Sequence, residues 1–598
     1  MTPQPSTRLV AVCIALPVVV SLIFLLTVSA FAFGHAFRPG LYVEVLLVLY
    51  LSALSLQFQR RKLRGAIVNT LLLLAFYGVC LLKYLMLREG LAWSDLAALR
   101  EVFVILSTPQ RIAVLAFVAV IAGILVTNLD RPRLLPAVLL LTPGLAYVVG
   151  TAIAPATVSA VMEEIRPTSL VVELEPWRDG PLIALLRQPP IERRTRAFLA
   201  SPPMRDDVEV LRRARALAKL PPPRRSLHII ILESFTDPVL FRTLDCPDPI
   251  DPRFRAWMTE GASLALAGTF GGQSARAEFE VLCGVPSFER LGLDTMAMRG
   301  AAIPCLPNLL RERGYLTISN SCGPSSFFNH DVAHAAMGFE RSHFGPDFVK
   351  TDADMDGEYL SDDVYYRQVW KRVLPVVKEG RPLLNYVLTW AGHYPFDLNP
   401  QRHPPVCADD TVAGKVANAA HYASIAAADY VELIESHDPD ALILVFADHL
   451  PPLGFAYAGY REGDYRLSLR GRDAPPFWSE NDPSWLESRA TTLVVRQGRR
   501  PVSLGLIPHY LIQEAILDLL TDGAYCQATE CWRTLPIIDR PRRSRPVFTT
   551  PAMFPLAICA DPSHVDDPQC RSGAELHRKL EAEYDALLRV GIHEAGGQ

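Results

Sequence analysis

Two apolar segments of this chain are each followed by residues of types that commonly bind metal ions. Glu233 directly follows the run 227–232, and Asp448 and His449 directly follow the run 441–447. If both runs are parallel strands of one sheet, their carboxyl ends meet at the same edge, where α/β proteins bind their ligands. Two carboxylates and one imidazole suit Mn²⁺ or Mg²⁺ better than a cysteine-rich zinc site does, although Zn²⁺ also accepts these ligands. The sequence therefore predicts a single divalent-metal site.

A hydroxyl group lies between these two segments, at the predicted start of a helix. Gly271 and Gly272 allow close backbone approach, and Ser274 precedes the helical stretch 275–282. Free backbone N–H groups and the positive end of the helix dipole favour a phosphate or an alkoxide at such a position. Metal coordination would lower the pKa of the hydroxyl and make Ser274 a nucleophile at neutral pH. The alternative interpretation is an ordinary helix-capping serine.

Two further segments are candidates for binding a substrate. His393 follows the apolar run 383–388 and could bind a phosphate or protonate a leaving group. Phe328 and His330 lie in a segment, 326–331, that combines aromatic and polar residues and would suit a headgroup pocket. The alternative for the second segment is a surface loop whose aromatic side chains enter the core.

The catalytic candidates lie within an alternating pattern of strands and helices. The predicted strands are 227–232, 315–319, 383–389, 441–447 and 492–496. The predicted helices are 275–283, 304–313, 361–378, 414–436 and 508–520. This alternation predicts an α/β fold with a mainly parallel central sheet covered by helices.

The first part of the chain reads as a helical membrane domain. Half of all residues are hydrophobic, and the apolar runs of roughly bilayer-spanning length are 9–33, 41–58, 66–87, 111–129 and 134–155. Basic residues at 60–64 and 131–133 place those two connections in the cytoplasm, so residues after 155 are predicted to lie outside the membrane. A soluble-core origin remains the alternative for the two shortest runs. The first run is long for a signal peptide, which favours an uncleaved span.

The exported part, after residue 155, is acidic and contains most of the cysteines. Lys and Arg outnumber Asp and Glu by 12 to 5 up to residue 155, and the whole chain carries −4, so the remainder carries about −11. This acidic balance argues against nucleic acid as a partner. Nine of the eleven cysteines follow residue 155, and an oxidising compartment would pair some of them. The pairs nearest in sequence are Cys526/Cys531 and Cys559/Cys570, and Cys283 is the candidate for a buried thiol.

Four regions result from these patterns. They are a five-span membrane domain (1–155), a juxtamembrane connector (156–225), a catalytic domain (226–545) and a tail with a helix near 574–589 (546–598). The three prolines at 221–223 mark the boundary before the catalytic domain.

Five motifs in order carry a resemblance to a known family. The segments LESF, GGQSARAEFEVLCGVP, SFFNHD, TWAGHYPF and ADHLPP resemble the lipoteichoic acid synthase and phosphoglycerol transferase branch of the sulfatase (alkaline phosphatase-like) superfamily. The resemblance implies an alkaline-phosphatase-like domain with one divalent ion, commonly manganese or magnesium. It makes Glu233, Ser274, Asp448 and His449 the metal ligands, Ser274 the nucleophile, and His393 a ligand of the substrate phosphate.

The resemblance also implies a reaction. The nucleophile attacks the phosphate of phosphatidylglycerol, diacylglycerol leaves, and glycerophosphate passes to an acceptor hydroxyl. The paired cysteines of the tail and the acidic exported part suggest a Gram-negative periplasm and a glycan or polymer as acceptor. The enzyme would be a multi-pass protein of the cytoplasmic (inner) membrane, with its catalytic domain facing the periplasm or the cell exterior. This chain departs from the synthases at Ser274, where they usually have threonine, at His330, where arginine is frequent, and at Phe328, where tryptophan is frequent.

Other functions remain as alternatives. A phosphodiesterase or sulfatase of the same fold would pass the group to water, although residues 274–278 lack the sulfatase pattern of Cys or Ser followed by Pro and Arg. A phosphoethanolamine transferase would have a threonine nucleophile and a zinc-rich site. A non-catalytic membrane scaffold is disfavoured because all four ligand positions are intact.

Overall fold

The computed structural model describes residues 7–33, 41–87, 91–96, 108–130, 134–165, 180–199, 216–287, 294–453, 458–466, 489–529, 531, 580 and 582–590. These residues belong to two compact units, one within 1–198 and the other within 199–598. Each unit is described separately below.

The first unit is helical. Its helices are α1 (Thr7–Phe33), α2 (Leu41–Gln57), α3 (Lys62–Leu87), α4 (Thr108–Asn128), α5 (Leu134–Ile153), α6 (Pro155–Ile165) and α7 (Pro181–Leu199). Helices therefore form over all five predicted apolar runs. By length and composition, α1, α3 and α5 could each cross a membrane, whereas the apolar parts of α2 and α4 are shorter. The structure thus supports three candidate spans, and the count of five remains a prediction.

A buried carboxylate on α2 holds the start of α7. Glu44 is fully buried, and its carboxylate accepts hydrogen bonds from the backbone N–H groups of Leu182 and Ile183, both at 3.0 Å. The hydroxyl of Tyr77 donates a third hydrogen bond at 2.8 Å. A carboxylate at a helix N-terminus binds N–H groups that have no partner within the helix. The apolar start of α7 therefore packs in the first unit, although the sequence placed it in the connector 156–225.

The second unit is built on one large sheet. The strands are β1 (Leu227–Leu232), β2 (Ser263–Leu266), β3 (Leu316–Ser321), β4 (Arg341–His343), β5 (Met355–Asp356), β6 (Tyr359–Leu360), β7 (Leu383–Leu388), β8 (Leu442–Ala447), β9 (Ala490–Gln497), β10 (Arg500–Pro501) and β11 (Leu506–Pro508). Within the described residues the order is β11-β2-β9-β8-β1-β7-β3-β4, with β10 paired to β9. Strand β9 is antiparallel to both β2 and β8, whereas β1, β3, β7 and β8 are mutually parallel where they pair.

Helices cover both faces of this sheet. They are α8 (Pro252–Gly261), α9 (Ser274–Cys283), α10 (Asp294–Ala297), α11 (Leu306–Arg311), α12 (His330–Met337), α13 (Asp362–Glu379), α14 (Val412–His437), α15 (Ala458–Glu462), α16 (His509–Leu520) and α17 (Ala524–Ala528). Successive residues of β1 enter different cores: Ile229 and Ile231 pack with α9 and α16, and Ile230 packs with α13 and α14. This alternation is the period of two expected of a strand buried on both faces.

The sequence predicted the central strands and the main helices. All five predicted strands are present, as β1, β3, β7, β8 and β9. The sheet is mixed and mostly parallel, because β9 runs antiparallel to both of its neighbours, β8 and the short strand β2. The sequence patterns did not predict β2. Residues 582–590 are helical, close to the predicted C-terminal helix. The predicted pair Cys559/Cys570 lies outside the described residues.

The disulfides partly correct the prediction for the cysteines. Cys526 and Cys531 are bonded, as predicted from their spacing. Cys283 is buried as predicted, but it forms a disulfide with Cys305, so the expectation of a free thiol was wrong. Sequence spacing did not indicate this pair, because the chain returns to Cys283 only at the start of α11. The bond joins the last residue of α9 to the residue preceding α11.

Removing the Cys283–Cys305 bond should destabilise the second unit. The bond closes a loop with a sequence separation of 22, which in the chain-entropy description corresponds to about 3 kcal/mol. We expect the double variant Cys283→Ala/Cys305→Ala to unfold at a clearly lower urea midpoint. The matched control is Cys526→Ala/Cys531→Ala, whose loop separation of 5 predicts a smaller loss. An equal or larger loss from the control pair would contradict this ranking.

Candidate active site

Neighbouring strands bring the first two ligand candidates together. Strands β1 and β8 are parallel with Leu232 opposite Ala447, so the next residues, Glu233 and Asp448, emerge side by side. The backbone then turns sharply, since Ser234 has a φ of 53°. Its N–H donates to Asp448 Oδ1 at 2.8 Å, which joins the two strand ends.

Three buried ligand candidates converge at this edge. His449 Nε2 is 3.3 Å from Asp448 Oδ2 and 3.9 Å from Glu233 Oε1. The exposed fractions are 7% for Glu233, 0% for Asp448 and 2% for His449. Asp448 Oδ2 makes no hydrogen bond to any described residue, because the nearby imidazole is not aligned with it. A buried carboxylate oxygen without a donor is costly unless a cation neutralises it.

The electrostatics favour a cation at this edge. Burial, and then the adjacent charge of Asp448, raise the pKa of Glu233 to about 8. Two carboxylates that resist sharing a buried site as anions are stabilised in that form by a divalent ion. The donor set of carboxylate oxygens and one imidazole nitrogen fits one such ion. Glu233, Asp448 and His449 thus lie together as a group that could hold one metal ion, hereafter the metal-ligand cluster, and their role as ligands remains a prediction.

Ser274 lies against the same cluster. Its Oγ donates to Glu233 Oε2 at 3.2 Å and lies 3.4 Å from His449 Nε2. Ser274 is the first residue of α9, and the capping position is occupied by Gln273 in a left-handed conformation (φ 65°). The alternative of an ordinary capping serine therefore does not apply. The half-buried hydroxyl is presented to the cluster.

Ser234 and Thr389 hold Glu233 in position, and neither residue was singled out from the sequence. The Glu233 N–H donates to Thr389 Oγ1 at 3.0 Å, and Ser234 Oγ donates to Glu233 Oε1 at 2.7 Å. Such partners fix the direction of a metal ligand. Both residues fall within motifs quoted above, LESF and TWAGHYPF, so the signal for Ser234 and Thr389 was present in the sequence.

The loop after β7 approaches the site through its backbone. A Cβ atom on Gly392 would lie 2.1 Å from the Glu233 carbonyl oxygen. The neighbouring His393 is half-buried, its Nδ1 lies 2.9 Å from the Tyr394 carbonyl oxygen, and its ring is 5.5 Å from that of Tyr359. No hydrogen bond among the described residues joins His393 to the metal-ligand cluster. Its role toward a substrate phosphate remains a prediction.

Gly392→Ala should lower activity by disturbing the Glu233 backbone. The added methyl group cannot be accommodated at 2.1 Å, so the loop or the end of β1 must move. Since misplacing catalytic groups by about 1 Å can cost about 100-fold in rate, we expect a loss of that order. Gly261→Ala is the control, because its Cβ would lie 3.7 Å from the nearest atom. Equal turnover of the two variants would contradict the expected tight contact.

Phe328 belongs to a series of aromatic rings near this loop. Its ring centroid is 4.1 Å from that of Phe327, which is 5.1 Å from that of Trp390, and Trp390 is 6.2 Å from Tyr359. Phe328 is half-buried, with a φ of 50°. The predicted headgroup contact of Phe328 remains a prediction.

His330 occupies a different environment from the one expected for a substrate ligand. It is 1% exposed, and its Nε2 lies 3.0 Å from Glu278 Oε1 on α9. His334, one turn further along α12, approaches the same carboxylate. The spacing of His330 and His334 was visible in the sequence, but their shared partner Glu278 was not singled out.

Comparisons with known proteins found similar sequences. Residues 227–475 match the Sulfatase family model. A putative cyclic beta-1,2-glucan modification protein of Rhizobium meliloti is 25% identical over 252 residues, which cover 39% of this chain and 37% of that protein. A lipoteichoic acid synthase of Staphylococcus saprophyticus is 22% identical over 150 residues, 24% of this chain and 23% of that protein. The matches thus span well under half the length of these relatives.

Solved structures also resemble the chain. The lipoteichoic acid synthase LtaP from Listeria monocytogenes aligns with a TM-score of 0.41 and 18% identity, over 55% of this chain and 78% of that one. The Streptococcus pyogenes phosphoglycerol transferase GacH, solved with sn-glycerol-1-phosphate, aligns with a TM-score of 0.42 and 13% identity, over 66% and 92%.

Residues 227–475 therefore resemble the Sulfatase family, which is the similarity that the comparisons support. The resemblance to lipoteichoic acid synthases that the five motifs indicated is confirmed by this match and by the Staphylococcus saprophyticus relative.

Proposed function

We propose that this protein is a membrane-attached, metal-dependent transferase that moves a phosphoglycerol group from phosphatidylglycerol to a glycan. The observation that carries the proposal is the position of Ser274 Oγ, 3.2 Å from Glu233 Oε2 and 3.4 Å from His449 Nε2 at the N-terminus of α9. A hydroxyl held against a metal-ligand cluster is the arrangement of a phosphoryl-transfer nucleophile. The alternative of a non-catalytic scaffold does not explain why all four residues converge.

The residues divide the reaction between them. A divalent ion held by Glu233, Asp448 and His449 would supply positive charge for the phosphoryl oxygens and for the nucleophile. Ser274 Oγ forms a bond to phosphorus while the bond from phosphorus to the diacylglycerol oxygen breaks, and that oxygen takes up a proton. The hydrogen bond to Glu233 orients Oγ and gives its proton an acceptor. An acceptor hydroxyl then attacks the same phosphorus, and the Ser274 hydroxyl is restored.

The choice of donor and acceptor rests on the relatives and on the first unit. Three helices long and apolar enough to cross a membrane would hold the enzyme where a lipid donor is available. One relative is a lipoteichoic acid synthase, which supports phosphatidylglycerol as donor. Another bears the name of a cyclic glucan modification protein, which supports a glycan acceptor. We place the catalytic domain on the outer side of the cytoplasmic membrane, with Mn²⁺ or Mg²⁺ as cofactor.

The test follows both products of the transfer. Full-length protein in detergent would be given phosphatidylglycerol labelled in the headgroup, Mn²⁺ and a cyclic β-glucan. We expect release of diacylglycerol together with label on the glucan. Diacylglycerol release with free glycerol phosphate as the only labelled product would instead identify a hydrolase. Turnover with phosphatidylethanolamine but not phosphatidylglycerol would identify a phosphoethanolamine transferase.

A further inference from the structure

A second group of side chains that could bind a metal ion lies between α9, the helix that begins at Ser274, and α12. Glu278 is one turn after Ser274 on α9, and His330 and His334 are one turn apart on α12. His330 Nε2 is 3.0 Å from Glu278 Oε1, and His334 Nε2 is 3.4 Å from Glu278 Oε2. One ligand atom from each residue lies within 4.8 Å of the other two. Residues i and i+4 share a helix face, so both imidazoles point at one carboxylate.

Hydrogen bonding within the described residues does not account for this arrangement. All three side chains are 1% exposed. Both ring nitrogens of His330 and Glu278 Oε1 lack an aligned hydrogen bond among the described residues, although Nε2 and Oε1 are only 3.0 Å apart. Buried polar atoms of this kind are rare without a partner. Their misalignment is expected if they are directed at a common point between them rather than at each other.

The surrounding residues hold the other atoms of the group in place. The Tyr386 hydroxyl donates to Glu278 Oε2 at 2.6 Å, and His334 Nδ1 is 3.1 Å from Ser319 Oγ. A histidine whose Nδ1 is hydrogen-bonded presents Nε2 in a fixed direction, as metal-binding histidines do.

We propose that Glu278, His330 and His334 bind a second metal ion, preferably Zn²⁺. A tetrahedral zinc with bonds of about 2.0 Å separates its ligand atoms by about 3.3 Å, close to the 3.0 and 3.4 Å observed between the imidazoles and the carboxylate. Two imidazoles and one carboxylate suit zinc, whereas the Glu233 cluster has two carboxylates and one imidazole. The assignment replaces the substrate contact predicted for His330.

The second site would fix the nucleophile. Glu278 and Ser274 belong to the same short helix, and the two histidines belong to α12, so an ion would link α9 to α12 one turn from the reacting hydroxyl. Histidine is not permanently charged, so His330 and His334 give the buried Glu278 carboxylate no permanent positive partner, which an ion would supply.

The experiment counts metals in full-length protein. Protein in detergent would be stripped with chelator, dialysed against Zn²⁺ at a buffered free concentration, and analysed for zinc per chain. We expect two equivalents in the wild type, one in Asp448→Asn, one in His330→Gln/His334→Gln, and none when all three substitutions are combined. His228→Gln, a fully buried histidine of β1 outside both clusters, should retain two.

X-ray absorption of the remaining zinc keeps the test independent of whether the histidine variants fold. In Asp448→Asn the zinc should show scattering from two imidazoles, as His330 and His334 require. One equivalent in the wild type that is lost in Asp448→Asn would overturn the proposal. One equivalent of zinc that persists in the combined variant would also overturn the proposal, because that zinc would be bound at the surface. Neither result depends on turnover, so failure of the proposed transfer reaction is distinguishable from failure of this site.

Discussion

Ser274→Ala should lower transfer by at least about 10³-fold, the scale seen when a covalent nucleophile is removed. The reason is that Ser274 Oγ is the hydroxyl held against both Glu233 and His449. The variant should still bind metal, because Glu233, Asp448 and His449 are unchanged. The measurement is diacylglycerol release from phosphatidylglycerol at saturating Mn²⁺, with zinc or manganese content determined in parallel.

Ser274→Thr is the matched control. It keeps an alcohol at the first position of α9, and threonine is the residue usual in the synthases that the chain resembles. We expect activity within about tenfold of the wild type. A glycerophosphoryl adduct should be detectable by mass spectrometry on residue 274 in the wild type and in this variant. Full activity of Ser274→Ala would exclude Ser274 as the nucleophile.

Asp448→Asn should abolish metal-dependent activity while sparing the fold. Asparagine keeps the oxygen that accepts from the Ser234 and His449 N–H groups at 2.8 and 2.9 Å. It replaces Oδ2, the oxygen without a hydrogen bond, by an amide that cannot bind a cation. Loss of a metal that contributes several kcal/mol to the transition state corresponds to about 10³-fold in rate. Activity that excess Mn²⁺ fully restores would contradict this role.

The same variant should change how the metal-free protein responds to pH. The folded pKa of Glu233 is raised from 4.5 to about 8 by burial and by Asp448. Between these values the unfolded chain releases a proton that the folded protein keeps, so stability falls as pH rises from about 5 to about 8. We expect this fall to be shallower in Asp448→Asn. Other buried acids contribute equally to the wild type and to Asp448→Asn. The difference between the thermal unfolding midpoints of these two proteins, measured in chelator at each pH, therefore reports the interaction of Glu233 with Asp448.

Saturating Mn²⁺ provides the converse measurement. At about 100 times its Kd, a bound ion adds about 2.7 kcal/mol to the stability of the wild type. Asp448→Asn should gain little. Equal stabilisation of both proteins by Mn²⁺ would show that the ion binds elsewhere.

The sequence predicted those parts of the fold that depend on local patterns. Strands such as β1 and β8 are continuous apolar runs, and each ends on a ligand, so their shared edge could be inferred. Strand β2 could not, because four residues with little alternation pair only through β9 and β11. The Cys283–Cys305 bond was missed for a related reason, since α9 and α11 meet only in the folded core.

The convergence of Glu233, Asp448 and His449 was predictable, whereas the contacts of Glu278 were not. Glu233, Asp448 and His449 each follow a strand, so topology alone brings them together. Glu278 is different, because it lies inside a helix and is recognised only once α12 packs against α9. The orientation of Asp448 Oδ2, which indicates the need for a cation, is likewise a property of the packed structure.

The hydrogen bonds of Glu44 limit how the first unit can be fused to another protein as a membrane anchor. Its two backbone donors lie 138 and 139 residues further along the chain, in α7. A fusion cut after α5 would retain the buried acid and discard two of its three donors, an arrangement that apolar surroundings penalise. The smallest transplantable piece therefore extends through α7. During synthesis, likewise, Glu44 on α2 is made well before α7, so its carboxylate lacks these two backbone donors until α7 has been synthesised.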